Sequence, residues 1–311
     1  MSATPVVAVL VPCYNEAATI AGVVAGFRQA LPDAQVWVFD NNSSDGTAQV
    51  ARDAGARVVA VGLQGKGNVV RRMFADVDAD AYLMVDGDGT YDAASAPRLL
   101  DGVLGQGADM VVATRHAVDQ GAYRRGHAFG NRLLTGFLAR LFGRPCRDIL
   151  SGYRAFSRRY AKSFPALSEG FETETELTVH ALELRMPVLE VDTPYFERPE
   201  GSHSKLSTWR DGWRILRTML RLFAAERPLM FHGLAALLLG LAALVLGIPV
   251  VLEWLRTGLV PRFPTAILAT GLMLMATLSF YTGLILDTVT RGRRELRMLA
   301  YLSQQAPGRK P

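Results

Sequence analysis

Two long apolar segments near the C-terminal end constrain the fold of this 311-residue chain more than any other feature. Leu229–Leu252 and Phe263–Leu286 contain no Asp, Glu, Lys or Arg. As helices of about 24 residues, each would be about 36 Å long, against a membrane hydrocarbon core of about 30 Å. The short connection, Glu253–Arg262, allows only a hairpin of two antiparallel helices. The sequence therefore predicts a transmembrane helical hairpin over residues 229–287, with buried helices of a soluble protein as the alternative.

Arginine residues are concentrated on the outer flanks of this hairpin. The connection contains only Arg256 and Arg262, whereas the flanks contain Arg217, Arg221 and Arg227 before the first segment and Arg291, Arg293, Arg294 and Arg297 after the second. By the positive-inside rule, both flanks are predicted to lie in the cytoplasm. Residues 288–311 would then form a cytoplasmic basic tail.

The segment just before the hairpin, residues 207–228, has the pattern of an amphipathic juxtamembrane helix. Trp209 and Trp213 lie on one predicted stripe, and Arg210 and Arg214 lie on an adjoining one. This pattern is typical of a helix that lies in a membrane interface. A surface helix packed on the preceding domain is the alternative.

The first 206 residues alternate apolar runs of strand length with segments of helical spacing. This alternation predicts an α/β fold with a doubly wound, mostly parallel sheet, because crossover helices connect parallel strands. Sheets of this kind bind ligands at the carboxyl ends of their strands. The predicted strands are Val6–Val11, Val36–Phe39, Arg57–Val61, Ala81–Val85, Met110–Thr114 and Val188–Val191.

The charge and cysteine content exclude some classes of function. The net charge of +5 comes from Arg, since the chain has only four lysines. Arg suits bidentate recognition of phosphate. No nucleic-acid-binding motif is present, so nucleic acid is not predicted as a partner. The two cysteines, Cys13 and Cys146, cannot form a disulfide framework, which favours a reducing compartment for this domain.

Two carboxylates follow a predicted buried strand in the segment Asp86-Gly-Asp88. Carboxylate oxygens suit Mg²⁺ or Mn²⁺, which usually keep some waters and bridge to substrate phosphates. Asp and Gly also form turns, so the pair taken in isolation has a second interpretation. The position at the carboxyl end of a central strand favours a metal site.

Six segments, in order, resemble family 2 glycosyltransferases, and within them the polyprenyl-phosphate hexosyltransferases of the dolichol-phosphate mannose synthase type. The resemblance covers about residues 5–228, and bacterial relatives carry a similar pair of helices at the C-terminus. It implies a GT-A type fold with a cytoplasmic catalytic domain over residues 1–206, in an integral protein of the bacterial-type inner (plasma) membrane. The segments are VPCYNEAATI (11–20), VFDNNSSDGT (38–47), GKGNVVRRMF (65–74), MVDGDGTYD (84–92), DILSGYRAF (148–156) and RPEGSHSKLST (198–208).

The resemblance also implies roles for individual residues, including a metal and diphosphate site at Asp86 and Asp88. Many relatives have a second Asp where this chain has Asn41. The residues expected to bind the nucleotide sugar are Pro12, Tyr14, Glu16, Asp40, Asn41, Lys66 and Asp86. Those expected to bind the acceptor phosphate and the donor diphosphate are Arg115, Arg125, Arg198, Ser204 and Lys205. Those expected to take part in catalysis are Asp88, Arg125 and Asp148, with Asp148 as either a base or an orienting carboxylate.

The implied reaction is an inverting transfer of a hexose from a GDP- or UDP-linked donor to a polyprenyl phosphate, with Mg²⁺ or Mn²⁺ as cofactor. With a second pKa of about 6, such an acceptor would be mostly dianionic and would need little help from a general base. Transfer to a sugar hydroxyl of a glycolipid or polysaccharide is one alternative, and a non-catalytic nucleotide-sugar-binding subunit is another. A homo-oligomer is also open, because Gly233, Gly240 and Gly247 permit close helix packing.

Several other titratable residues are predicted to be structural. Glu172, Glu174 and Glu176 are spaced two apart on a predicted helix and therefore point to different sides. His180 and His203 have no second His or Cys at the spacing of metal ligands.

Overall fold

The computed structural model describes residues 4–117, 135–137, 139–140, 147–166, 173–196, 217 and 219–306. The chain forms two compact units. The first comprises residues 1–215 together with residues 296–311, and the second comprises residues 216–295.

A seven-stranded sheet forms the centre of the first unit. Its order is β3-β2-β1-β4-β6-β5-β7, in which β6 is antiparallel to both neighbours and the other described pairings are parallel. The predicted doubly wound, mostly parallel sheet is therefore confirmed. The strands are β1 (Val7–Cys13), β2 (Gln35–Asp40), β3 (Arg57–Ala60), β4 (Ala81–Met84), β5 (Met110–Ala117), β6 (Arg154–Ser157) and β7 (Val188–Tyr195).

Helices cover both faces of this sheet. They are α1 (Ile20–Ala30), α2 (Thr47–Asp53), α3 (Lys66–Asp76), α4 (Ala96–Leu104), α5 (Arg158–Ser163) and α6 (Thr173–Glu183). Helices α1 and α4 pack with Val9 and Leu83 on one face, and α3, α5 and α6 pack with Leu10 and Tyr82 on the other. Successive strand residues point to opposite faces, so a strand buried on both sides is a continuous apolar run, as β1 is.

Strand β6 is absent from the sequence-based prediction. Its four residues, Arg154–Ser157, show no alternation, and they pair with strands that are distant in sequence. Its register with β4 places Met84 opposite Arg154. Because the two strands are antiparallel, the residues that precede β6 lie beside the residues that follow β4.

The second unit consists mainly of α7 (Pro228–Thr257) and α8 (Phe263–Leu302), which also extends into the first unit. Both helices are long and apolar enough to cross a membrane, and few residues of their most apolar windows are buried. The two helices approach each other at Gly240 and Gly247, where an added Cβ would be in ordinary van der Waals contact, 3.9 Å from Ala276 Cβ and 3.5 Å from Ala269 Cβ. The two predicted apolar helices are therefore present.

The segments on either side of these two helices differ in how much the structure describes. Of the predicted amphipathic helix, residues 219–226 are helical, whereas residues 207–216 and 218 lie outside the described residues. After the second apolar segment, α8 continues to Leu302, so the predicted basic tail begins as a helix. Residues 296–306 pack as part of the first unit.

Candidate active site

The carboxyl ends of β1, β2 and β4 meet at one edge of the sheet. Cys13 at the end of β1 lies opposite Asp40 at the end of β2, and β1 also pairs in parallel with β4. Asp86 follows β4 after one residue and Asp88 after three, and Asp88 is only 4% exposed. The acidic residues predicted to bind the donor and the metal are therefore brought to the same edge.

Asp86 and Glu174 share the partly buried ammonium group of Lys66. Lys66 Nζ lies 2.6 Å from Asp86 Oδ1 and 2.5 Å from Glu174 Oε1. Lys66 begins α3 directly after Gly65, whose φ of 127° favours glycine. Burial by itself would lower the pKa of Lys66, but the two carboxylates raise it above its ordinary value. Lys66 is therefore protonated and offsets negative charge at this edge.

Gly152 leaves the space that the Asp86 carboxylate occupies. A Cβ added at this position would lie 2.2 Å from Asp86 Oδ2. Tyr91 Oη accepts a hydrogen bond from Gly152 N at 3.0 Å. The segment Ser-Gly-Tyr-Arg stands out in the sequence but this glycine does not, because its contact with Asp86 depends on the pairing of β6 with β4.

Asp88 is held by its own turn. Its Oδ1 accepts hydrogen bonds from Thr90 N at 3.2 Å and from Thr90 Oγ1 at 2.7 Å. Gly89 between them has a φ of 73°, which an L residue rarely adopts. The turn therefore fixes the direction of the buried carboxylate.

Asp86 and Asp88 fit a divalent metal ion as a partial set of ligands. Their oxygens are the ligand type that Mg²⁺ and Mn²⁺ prefer, and such ions are often bound by one or two carboxylates together with substrate phosphates. In the part of the chain that the structure describes, no group of three or more His, Cys, Asp or Glu side chains could hold a metal by itself. A metal here would therefore take further ligands from water and from a substrate.

Glu174 is a site residue that the sequence reasoning missed, because its spacing with Glu172 and Glu176 indicated a structural role. It is 6% exposed, and its Oε2 has no hydrogen-bond partner among the described residues. A buried polar atom without a partner is costly, so this oxygen is an open acceptor position beside Lys66. No signal in the sequence distinguishes Glu174 from its acidic neighbours.

Asp148 binds Arg115 with both carboxylate oxygens. Arg115 Nε lies 2.7 Å from Oδ2 and Arg115 Nη2 lies 2.8 Å from Oδ1. Asp148 is 4% exposed, and the guanidinium lies 5.5 Å from the centre of the Tyr195 ring. Bidentate pairing fixes the plane of a guanidinium. The geometry therefore favours an orienting carboxylate over a base at Asp148.

Tyr91 contacts neighbours of both carboxylates, Asp86 and Asp148: Gly152 lies against Asp86, and Tyr195 lies near the guanidinium that Asp148 binds. Its ring centre is 5.3 Å from that of Tyr195, and its hydroxyl contacts the backbone of Gly152. Burial raises the pKa of Tyr91, Arg115 lowers it, and Asp86 raises it further, so both charged groups act on the same side chain. A cavity of about 320 Å³ lies beside Tyr91 and Asp86.

Asp40 is the last residue of β2 and Asn41 follows it, and their side chains make different contacts. Asp40 is 8% exposed, and its Oδ1 has no hydrogen-bond partner within the described ranges. Asn41 Nδ2 donates to Val61 O at 2.9 Å and to Leu63 O at 2.7 Å, and Asn41 Oδ1 accepts from Gly65 N at 2.7 Å. Asn41 therefore holds the loop that leads to Lys66, whereas the Asp40 side chain does not bind this loop through Oδ1.

The loop after β1 lies next to the loop after β2. Pro12 is in β1, opposite Phe39, and Tyr14 beyond it is 39% exposed. Glu16 N donates to Thr47 Oγ1 at 2.9 Å, which joins the two loops. The residues predicted to contact the nucleotide thus lie at the same edge as Asp40.

Four of the predicted phosphate-binding residues lie outside the described residues, and so does His203. Arg115 is the member of that predicted set which the structure describes. The four are Arg125, Arg198, Ser204 and Lys205.

Residues 8–164 match the protein-family model described as Glycosyl transferase family 2. The chain is 36% identical over 291 residues to Glycosyltransferase AglJ of Haloferax volcanii, which covers 93% of this chain and 95% of that protein. It is 27% identical over 220 residues to the Dolichyl-phosphate hexose transferase of the same organism, covering 71% of this chain and 95% of that protein.

A solved structure of glucosyl-3-phosphoglycerate synthase from Mycobacterium tuberculosis, in complex with Mn²⁺, UDP-glucose and phosphoglyceric acid, has a similar fold. The TM-score is 0.57 at 24% sequence identity, over 71% of this chain and 79% of that one. This likeness supports the GT-A type fold that the sequence predicts.

Proposed function

The chain belongs to glycosyl transferase family 2 and is a glycosyltransferase, and on this basis we propose that it moves a hexose from a nucleotide diphosphate sugar to a polyprenyl phosphate. One observation carries the proposal: a carboxylate pair, Asp86 and Asp88, lies at the same sheet edge as a guanidinium fixed by Asp148. The first feature suits a metal-bound diphosphate, and the second suits an anionic acceptor.

The donor would bind along the ends of β1, β2 and β4. Asp40, whose Oδ1 has no hydrogen-bond partner among the described residues, would bind the base or ribose, and Asp86 and Asp88 would hold Mg²⁺ or Mn²⁺. A divalent cation, when bound, supplies positive charge to the donor diphosphate. The fold shared with glucosyl-3-phosphoglycerate synthase, which was solved with Mn²⁺ and UDP-glucose, supports this assignment.

A phosphate acceptor needs little help from a general base, which agrees with the binding of both Asp148 oxygens to Arg115. A phosphate monoester with a second pKa of about 6 is mostly dianionic in the cytoplasm and is already a nucleophile. Its oxygen would form a bond to the anomeric carbon while the bond from that carbon to the diphosphate oxygen breaks, with inversion of configuration. Nucleoside diphosphate would leave. Arg115, aimed by Asp148, would offset negative charge as the two anions meet.

A lipid acceptor is supported by the two apolar helices and by the relative named Dolichyl-phosphate hexose transferase. Residues from before and after the two helices belong to one compact unit, so two crossings would return the chain to the same side. With the arginine-rich flanks, we place this unit on the cytoplasmic face of an inner membrane. Arg125, Arg198, Ser204 and Lys205 remain the predicted ligands of the lipid phosphate.

The test is a panel of GDP- and UDP-linked hexoses, with a short polyprenyl phosphate and Mg²⁺ or Mn²⁺, in which the lipid product is identified by mass spectrometry. We expect a hexosyl phosphate lipid to form only when donor, lipid phosphate and metal are all present. Transfer to a glycolipid or polysaccharide hydroxyl, with none to lipid phosphate, would show that the acceptor is a sugar. Donor binding without turnover on either class would indicate a non-catalytic subunit.

A further inference from the structure

The last turns of α8 form part of the first unit although they follow the apolar segments in sequence. Three of their side chains contact this unit: Arg297, Met298 and Tyr301. We call these three residues the C-terminal clasp.

The clasp makes one ion pair and one hydrogen-bonded aromatic contact with buried groups. Arg297 pairs with Glu183, whose side chain is 2% exposed. Tyr301 Oη donates to Asp109 Oδ2 at 2.8 Å, and Asp109 is fully buried. The guanidinium of Arg159, which also binds Asp109, lies 4.8 Å from the centre of the Tyr301 ring. Met298 packs beside Tyr301 on the apolar core.

Glu183 needs a cationic partner for two reasons. It is the last residue of α6, where the helix dipole disfavours a carboxylate. It is also buried, and a buried charge without a partner is strongly destabilising. Arg297 meets both needs, so the end of α6 is held by a residue of α8.

Helix α6 contacts the active site at two other points. In its first turn, Glu174 binds Lys66, which in turn binds Asp86. One turn further on, Thr178 Oγ1 accepts a hydrogen bond from the buried Arg154 at 2.8 Å. Arg154 Nε also donates to Ser151 O at 2.8 Å, in the loop that connects Asp148 with Gly152.

We propose that Arg297 and Tyr301 are positioning residues for glycosyl transfer, which act through α6 on the Asp86 and Asp148 sites. Arg297 fixes the end of α6, and Tyr301 fixes α8 against the core through Asp109. In this arrangement the chain that follows the apolar hairpin completes the catalytic unit. The kinetic part of the proposal rests on the function proposed above, whereas the helix-positioning part does not.

The experiment uses the full chain in detergent or lipid nanodiscs, with Arg297→Gln, Arg297→Lys, Tyr301→Phe and the exchange Arg297→Glu with Glu183→Arg. Arg291→Gln is the matched control, because Arg291 is on the same helix but its side chain is 73% exposed and pairs with Asp287. All are compared below their melting temperatures by kcat, donor KM, Mn²⁺ dissociation constant and amide hydrogen exchange.

For Arg297→Gln we expect Mn²⁺ affinity to fall by about 5- to 150-fold, the usual range for coupling between separate binding sites, and kcat to fall as well. The donor KM should change less, and amide exchange should quicken in the first turn of α6, far from the substitution. Arg297→Lys and the charge exchange should restore most of the loss, and Tyr301→Phe should show a smaller effect of the same kind. Arg291→Gln should match the wild type.

A folded Arg297→Gln protein with wild-type kcat, wild-type Mn²⁺ affinity and unchanged exchange in the first turn of α6 would overturn the clasp. The hydrogen-exchange result decides the helix-positioning part even if the wild type transfers no sugar. A wild-type protein that transfers no sugar would instead count against the proposed function.

Discussion

The two carboxylate sites at the sheet edge are built in different ways. Asp86 gives one oxygen to Lys66 and places the other in the space left by Gly152. Asp148 gives both of its oxygens to Arg115. A carboxylate with one oxygen engaged can still ligate a cation, whereas one with both oxygens on a guanidinium serves to aim that group. The difference agrees with our proposal that Asp86 is a ligand of a bound metal cation and that Asp148 orients the guanidinium of Arg115.

We expect the largest effect for Asp88→Asn, which changes the proposed metal site formed by Asp86 and Asp88. The asparagine oxygen can still accept the two bonds from Thr90, so the turn should be preserved. Loss of the charge should lower kcat by roughly 10²- to 10³-fold, as removal of one strong electrostatic contact commonly does. Asp92→Asn, a cap on a nearby short helix, is the control. Wild-type turnover by folded Asp88→Asn protein would remove the metal assignment.

Gly152→Ala tests whether the free side of Asp86 matters. The added Cβ would meet Asp86 Oδ2 at 2.2 Å and must displace that carboxylate. Apparent Mn²⁺ affinity should fall by about 10- to 100-fold, the range seen when groups that orient a metal ligand are changed. It can be measured by electron paramagnetic resonance without turnover. Gly62→Ala, where an added Cβ meets nothing within 4 Å, should behave as wild type. Unchanged affinity would mean that Asp86 does not ligate the metal.

Asp148→Asn tests whether Asp148 orients the Arg115 guanidinium or acts as a general base. An asparagine offers one acceptor oxygen in place of two, so Arg115 would lose part of its fork-like contact. Loss of one charge-assisted bond should lower kcat by about tenfold. Loss of a general base can cost as much as about 10⁴-fold, and a fall of that size would identify Asp148 as the base. Asp78→Asn, which breaks a surface pair with Arg158, is the control.

The sequence predicts those parts of the site that depend on strands adjacent in the parallel order. The apolar run of β1, the end of β2 at Asp40 and the pair that follows β4 are all local patterns, and parallel pairing brings them together. Their mutual placement therefore needs only the fold class. The predicted apolar hairpin likewise depends on length and composition, which the sequence states directly.

The parts that the sequence misses depend on long-range contacts. Gly152 meets Asp86 because β6 inserts antiparallel between β4 and β5, and nothing in four residues indicates that register. Glu174 reaches Lys66 through the packing of α6 on α3, although the spacing of the three glutamates, which points them to different sides of the helix, predicts a structural role. Arg297 is likewise missed, because in the sequence it is one of several basic residues of the predicted tail and its pairing with Glu183 is a long-range contact.

The smallest effect is expected for Asn41→Asp, compared with Asn42→Asp next to it. Asn41 donates to two carbonyls of the loop before Lys66, whereas the exposed Asn42 side chain donates to Gly62 O and Gln64. The aspartate cannot donate, so two buried bonds worth about 1 kcal/mol each would be lost. Both changes add the same charge and both remove two donated bonds to this loop, so a difference between them reports the greater burial of the Asn41 contacts.

For Asn41→Asp we expect unfolding free energy to fall by about 1 to 2 kcal/mol and Mn²⁺ affinity by a few fold, because Lys66 would hold Asp86 less firmly. The Arg115 side should be unaffected, so the ratio of acceptor KM to its wild-type value should stay near one. Equal effects of the two substitutions would show that the greater burial of the Asn41 contacts has no consequence. A rise in acceptor KM as large as the loss of metal affinity would show that the two carboxylate sites do not act separately.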